Sequence, residues 1–294
     1  MPLYKKDCKL ICSIWGSTVS EVRYLSNYVE RLGADAVELS LYAPIGSRNQ
    51  TMCTTPQHIA NVISEVVREV DIPVLVKLPY EISFFPEMLQ AIYDAGARVV
   101  SAIDALRGLS GVDLENARTW MPTYGGLTGE AIRPVSLATT AMLRQYTPFY
   151  ICSCGGIFGS EQALEYMMLG ASAVQLASAI FRSGRAVIGE TLRGIETWLA
   201  ENGYDSVQQI CGLALQRLRP FEDVSHRLVH AALAAPCTAA ECGVCERGCI
   251  YGAVSHSAAG YRIDPAVCGG CGYCVGACPQ KRITLESPLP TEYR

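Results

Sequence analysis

Apolar and polar positions alternate in blocks along the first two thirds of the chain. Short apolar runs fall at residues 10–15, 36–41, 73–78, 99–103, 149–153 and 173–177. Between them, residues 19–32, 56–70, 85–95, 135–145 and 161–169 carry apolar positions at helical spacing. The runs predict buried strands and the spaced segments predict amphipathic helices. Gly33, Gly96 and Gly170, each followed by alanine, predict the ends of three helices. Strands alternating with helices predict a parallel sheet with helices outside it. Residues 186–235 read as further helices.

The succession is that of a (β/α)8 TIM-type barrel, with six strand signals where such a barrel uses eight. Six parallel strands do not close with native geometry, and an open sheet leaves two buried-type edges unpaired. The expectation is an α/β fold that a partner chain completes, an open or smaller barrel, or an N-terminally shortened form.

Composition narrows the function classes. The chain has 294 residues, half of them hydrophobic and 18% charged, with a net charge of −4. That length accommodates one large domain and one small one. The acidic balance argues against nucleic acid as the main partner. No apolar run reaches the roughly 18–20 residues of a membrane span, and residues 1–7 lack an apolar signal region. A cytoplasmic location in a reducing compartment is expected, so the fourteen cysteines are not expected to form disulfides.

Eight of those cysteines stand near the C-terminal end. Cys268, Cys271, Cys274 and Cys278, followed by Pro279, make C-x2-C-x2-C-x3-C-P, the run that wraps a cubane iron–sulfur cluster. Cys237, Cys242, Cys245 and Cys249 repeat it with a longer first gap and Ile250 in place of proline. Two-residue gaps let three thiolates of one loop reach three corners of one cube, while the fourth cysteine serves the other cluster. The expected ligand sets are therefore Cys237, Cys242, Cys245 and Cys278 for one [4Fe–4S] cluster, and Cys249, Cys268, Cys271 and Cys274 for the second. Zinc would instead take separated pairs. The domains expected are residues 1–195, 196–236 as a helical connection, and 237–286 as a small ferredoxin-like unit.

Residues 123–137 read Thr-Tyr-Gly-Gly-Leu-Thr-Gly-Glu-Ala-Ile-Arg-Pro-Val-Ser-Leu. This segment resembles the glycine-rich stretch of the dihydropyrimidine dehydrogenase and dihydroorotate dehydrogenase family of FMN barrels. The resemblance continues through Lys77-Leu78-Pro79, Cys154-Gly155-Gly156-Ile157 and residues 170–176. It covers roughly residues 8–195 and starts at the third barrel strand, so the first two strand–helix units lack a counterpart. The two-cluster segment points to the dihydropyrimidine dehydrogenase branch. By this resemblance FMN is a cofactor, Lys77 lies against the flavin ring, and Gly125, Gly126 and Gly129 let the backbone approach that ring. Gly155 and Gly156, which follow an apolar strand and precede a helix, with Ala177 and Ser178 after the next strand, read independently as a phosphate cradle. Lys77 also stands out without the resemblance, because a lysine ending a buried strand is costly unless paired.

Cys53 lies near the position of the family's catalytic cysteine and is the candidate for proton transfer, with an ordinary loop cysteine as the alternative. The position matching the dihydroorotate dehydrogenase residue holds Ala43. Where the family reads a pyrimidine with asparagines, this chain has Ser40 and Asp104. An acceptor-only carboxylate changes which ring edge binds, which argues against uracil, thymine or orotate and for a cationic or N–H-rich substrate. Asp104 could also cap a helix. His58, His226, His230 and His256 form no metal pattern, and Cys8, Cys12, Cys152, Cys154 and Cys211 read as core thiols.

The reading is an iron–sulfur flavoprotein oxidoreductase acting on a C=C or C–C bond of a small cyclic substrate, with catalytic Cys53 and Lys77. No G-x-G-x-x-G follows a strand, so a ferredoxin or an NAD(P)H-dependent flavoprotein subunit is the expected redox partner, in an oligomer. The alternative is a non-catalytic electron-transfer or assembly subunit with a degenerate barrel.

Overall fold

A computed structural model of the chain describes residues 8–42, 54–219, 229–237 and 242–286. Two compact units divide it, Met1–Arg217 and Leu218–Arg294.

In the first unit strand and helix alternate: β1 (Ile11–Ile14), α1 (Val19–Arg31), β2 (Ala36–Ser40), α2 (Pro56–Glu69), β3 (Val74–Leu78), α3 (Pro86–Asp94) and β4 (Val99–Ala102). An excursion then carries two small antiparallel pairs. β5 (Leu106–Gly108) pairs with β8 (Gly125–Leu127), and β6 (Val112–Asp113) with β7 (Arg118–Thr119). The alternation resumes with α4 (Arg133–Tyr146), β9 (Tyr150–Cys154), α5 (Ser160–Met168), β10 (Ala173–Gln175), α6 (Ser178–Ser183), α7 (Ala186–Glu201) and α8 (Val207–Ile210). All six expected strands pair in parallel, in the order β1-β2-β3-β4-β9-β10. Among the described residues no strand pairs with the outer edge of β1 or β10. The sheet is curled: Gln175 on β10 reaches Glu38 on β2 with a 2.9 Å hydrogen bond, across three intervening strands.

Local chemistry sets the helix ends. Thr18 accepts from the Glu21 amide while the Glu21 carboxylate accepts from the Ser17 and Thr18 amides, a capping box. Thr55 caps α2 ahead of Pro56. Gly33, Gly96 and Gly170 take the positive φ expected after α1, α3 and α5. Alternate residues of each strand face the helices, so Val37, Leu39, Val76, Leu78 and Val100 are fully buried against Ile59, Ile63, Val66 and Ile92.

The second unit pairs β11 (His230–Leu233) with β14 (Ile283–Glu286), and β12 (Val254–Ser257) with β13 (Gly260–Ile263). Two short helices, α9 (Val244–Arg247) and α10 (Tyr273–Ala277), lie within the cysteine runs. Residues 196–236 are thus not a purely helical connection. α7 begins before them, and β11 within them is a strand whose Ala231 and Leu233 pack with Ile283 and Cys274.

Candidate functional site

The C-terminal ends of β3, β4, β9 and β10 line an open cavity of about 150 Å³. Its wall includes Lys77, Asp104, Gly129, Gly155, Gly156, Ala177 and Ser178, which brings together seven of the residues marked in the sequence. Ser40 stands beside Lys77 in the β2–β3 register but does not line the cavity. Gly125 and Gly126 are exposed on β8 and lie outside the lining. Cys53 and Ala43 fall outside the described residues.

Backbone geometry explains the glycine pair. At Gly156 φ is +69°, and a Cβ would stand 2.7 Å from Arg133 Cβ and 3.0 Å from the Gly129 carbonyl oxygen. A Cβ on Gly155 would come within 2.9 Å of Ser136 Cβ. Only a residue without a side chain lets the β9–α5 turn pass this close to the start of α4 and the turn before it. That turn leads to α5 and the loop after β10 leads to α6, the arrangement that binds phosphate in parallel barrels. The lining, with its small residues, backbone turns and one cation, fits the phosphate and ring of a flavin mononucleotide.

Lys77 is held by side chains from two strands, β9 and β10. Its Nζ donates to Gln175 Oε1 at 2.7 Å and to Cys154 Sγ at 3.0 Å. Cys154 Sγ donates in turn to the Ile103 carbonyl at 2.9 Å, so the sulfur is a thiol. Gln175 Nε2 donates to Glu38 Oε2, which also accepts from Ser101 Oγ. Burial opposes the charge on Lys77, but Cys154, Glu38 and Asp104 outweigh it and hold the pKa above the ordinary lysine value. Burial also opposes ionisation of Glu38. Lys77 and the hydrogen bonds from Ser101, Gln175 and Ser13 overcome it and keep the carboxyl ionised below its usual range.

Asp104 moves the other way. Burial raises its pKa, the Ala105 amide and Lys77 pull it back, and Glu38 and Glu81 add repulsion, with a net upward shift. Its Oδ1 accepts from the Ala105 amide at 2.8 Å. It caps no helix, because the next element is β5.

Glu38, Ser101, Gln175 and the contact role of Cys154 were not marked in the sequence. A usable signal existed at Glu38: a carboxylate in the buried strand Ala-Val-Glu-Leu-Ser is as costly unpaired as Lys77. Cys154 is buried as read, Cys12, Cys152 and Cys211 are half-buried, and Cys8 is exposed, not core.

In the second unit two cavities divide the eight cysteines. One is lined by Cys237, Cys242, Cys245 and Cys278. The other is lined by Cys249, Cys268, Cys271 and Cys274. Gly243 and Gly272 adopt left-handed φ ahead of α9 and α10, which turns each loop around its cavity. Backbone amides point at sulfur: Ala253 to Cys249 and Ala231 to Cys268, both at 3.3 Å, and Arg282 to Cys278 at 3.4 Å. Among the described residues no three of His, Cys, Asp and Glu stand close enough to share one metal ion. A cubane differs, because each of its four irons takes one thiolate and the sulfurs surround a larger body. The donor set, four thiols around each of two apolar cavities, fits that body.

Comparison with known proteins gives concordant results. A family model described as dihydroorotate dehydrogenase matches residues 2–199. The catalytic subunit of dihydroorotate dehydrogenase B (NAD(+)) from Pyrococcus abyssi is 33% identical over 216 residues, 72% of this chain and 71% of that protein. The corresponding subunit from Thermococcus kodakarensis is 33% identical over 215 residues, 72% of this chain and 70% of its own length. The PreA subunit of NAD-dependent dihydropyrimidine dehydrogenase from Escherichia coli K12 is 27% identical over 235 residues, 76% of this chain and 57% of that protein.

Proposed function

Because the chain belongs to the dihydroorotate dehydrogenase family, we propose that it is an iron–sulfur flavoprotein oxidoreductase acting on a carbon–carbon bond of a small cyclic substrate. The observation that carries this reading is the cavity at the strand ends, where Lys77, Asp104 and the Gly155–Gly156 turn meet. FMN bound there would supply hydride transfer coupled to single-electron exchange, and two [4Fe–4S] clusters would supply the single electrons.

The chain's own residues divide the work. Gly155, Gly156, Ala177 and Ser178 receive the phosphate, and Gly129 lets the backbone approach the ring. The Lys77 ammonium, which lines the cavity, would supply positive charge to a reduced, anionic ring bound there. Asp104 offers a carboxylate with one oxygen already bonded to the Ala105 amide. The other accepts from a ring N–H or pairs with a cation, which favours an N–H-rich substrate over uracil, thymine or orotate. Ser40, at the neighbouring strand end, is assigned a substrate contact, and Cys53 is assigned proton transfer to carbon. Cys237, Cys242, Cys245 and Cys278 hold one cluster; Cys249, Cys268, Cys271 and Cys274 hold the other.

A redox partner, either a ferredoxin or an NAD(P)H-dependent flavoprotein subunit, completes the circuit. The relatives, a catalytic subunit and a subunit of an NAD-dependent enzyme, support an assembly of more than one chain. Among the described residues no helix is long and apolar enough to cross a membrane.

The test is substrate-linked reoxidation. The anaerobic chain, reduced chemically, is mixed with uracil, thymine, orotate and with amino-substituted and cationic unsaturated heterocycles. Rapid loss of the reduced-flavin spectrum with the amino-substituted or cationic compounds, and not with the first three, is expected. A flavin-loaded chain that reduces none of them would overturn the enzymatic reading in favour of an electron-carrying subunit.

A further inference from the structure

Lys77 lies at the wall of the cavity, yet the groups that fix it lie on other strands. An ammonium is donor-only, a carboxylate is acceptor-only, and a carboxamide is both. The three meet here in that order. Lys77 Nζ donates to Gln175 Oε1 at 2.7 Å, and Gln175 Nε2 donates to Glu38 Oε2 at 2.9 Å. Ser101 Oγ closes the far side on the same carboxylate oxygen, with Gln175 Nε2 3.3 Å from it. Glu38 is 6% exposed and Ser101 is fully buried, so water does not substitute for either contact. The amide orientation of Gln175 is dictated by its neighbours, since reversal would set NH2 against the ammonium and C=O against the carboxylate.

We propose that Glu38 and Gln175 are positioning residues that hold the Lys77 ammonium charged and aimed at the cavity. Two of its three hydrogens are taken, by Gln175 and Cys154, which leaves one donor for an acceptor in the cavity it lines. Gln175 bridges the ion pair so that the Glu38 carboxylate balances the charge without occupying that donor. The charged and titratable groups facing Lys77 are Glu38 from β2, Cys152 and Cys154 from β9 and Asp104 after β4. Glu38 is the one held ionised below its usual range, and Cys154 is a thiol. Removing Glu38 therefore leaves a desolvated ammonium that gives up its proton more readily. This assignment rests on the proposed flavin site for its purpose, but the network itself is a property of the chain.

The experiment uses the full chain, the conservative variant Glu38→Gln, and Gln175→Met, which keeps volume and removes both amide contacts. Acetylation of Lys77 by acetic anhydride is followed by mass spectrometry across pH, and FMN affinity is measured on the same samples. In Glu38→Gln, Lys77 should label about tenfold faster at neutral pH, because one pKa unit is a factor of ten in free amine. Its FMN affinity should fall with rising pH below the ordinary lysine value of about 10.4, where the parent stays flat. In Gln175→Met, FMN affinity should fall about tenfold at every pH, as expected for a lost charge-assisted hydrogen bond. Parent-like labelling and parent-like pH profiles in both folded variants would overturn the proposal. If the parent takes up no FMN, the proposed function fails, while the labelling still decides the positioning role. Should Glu38→Gln not fold, Gln175→Met decides alone: parent-like FMN affinity in that folded variant would overturn the proposal.

Discussion

Single residues carry sharply different burdens in the cavity wall, and two substitutions expose the contrast. Gly156→Ala forces a side chain onto a backbone at φ +69° and against Arg133 and Gly129. The expected cost is roughly 1–3 kcal/mol, read as a lowered unfolding midpoint together with loss of FMN uptake. Gly125→Ala meets nothing within 4 Å and should leave both readings unchanged. Equal effects of the two would contradict the assignment of the cradle to Gly155–Gly156. Cys152 gives a pH signature. Burial, with the Cys154 sulfur and Glu38 adding to it, raises its thiol to about 11. The folded chain therefore binds that proton more tightly than the unfolded chain does. This contribution is whole below the ordinary thiol value and is lost as pH rises toward about 11, amounting to roughly 2–3 kcal/mol. Under reducing conditions the parent should lose stability over that alkaline window more steeply than Cys152→Ala, and parallel curves would contradict it. Lys77 was legible in the sequence because a lysine closing an apolar strand needs a partner. Gln175 was not, since the residue it serves lies 98 positions away and no local pattern links them.

Among the elements, the βα succession was legible to within a residue or two, because buried parallel strands and capped amphipathic helices both write strong periodic patterns. The excursion between β4 and α4 was not, since its strands are two or three residues long and largely exposed, with no apolar alternation to read. The same segment explains why Gly125 and Gly126, marked with Gly129 as one glycine-rich stretch, part from it in space. The β11 segment reads as helix because His-Ala-Ala-Leu favours helix locally, whereas pairing with β14 decides its state. Ala231 on that strand is 2% exposed and sits with Cys274 and Ile283, and its amide donates to Cys268 Sγ. Ala231→Asp would bury an unpaired carboxylate beside the second cysteine cavity. Bound iron should drop toward half while flavin uptake stays at the parent level, measured by iron assay and flavin fluorescence on one preparation. Full iron retention would show that β11 does not support that cavity.

The whole molecule combines two units whose chemistries were read from different kinds of signal. Cysteine spacing is a short-range code, and the two cavities group the cysteines by proximity in the second unit. The first unit shows six strands in barrel order, curled enough for β10 to bond β2, with the edges of β1 and β10 unpaired among the described residues. Family membership accounts for the barrel-like order of the first unit. Flavin and both clusters are proposed to sit together on this one chain, and cofactor stoichiometry tests it. The chain should be purified without oxygen and assayed for acid-released FMN, iron and protein in the same sample. About one FMN and about eight iron atoms per chain are expected. Iron near eight with no FMN would contradict the flavoprotein assignment and leave an electron-carrying subunit, and FMN without iron would contradict the assignment of the eight cysteines.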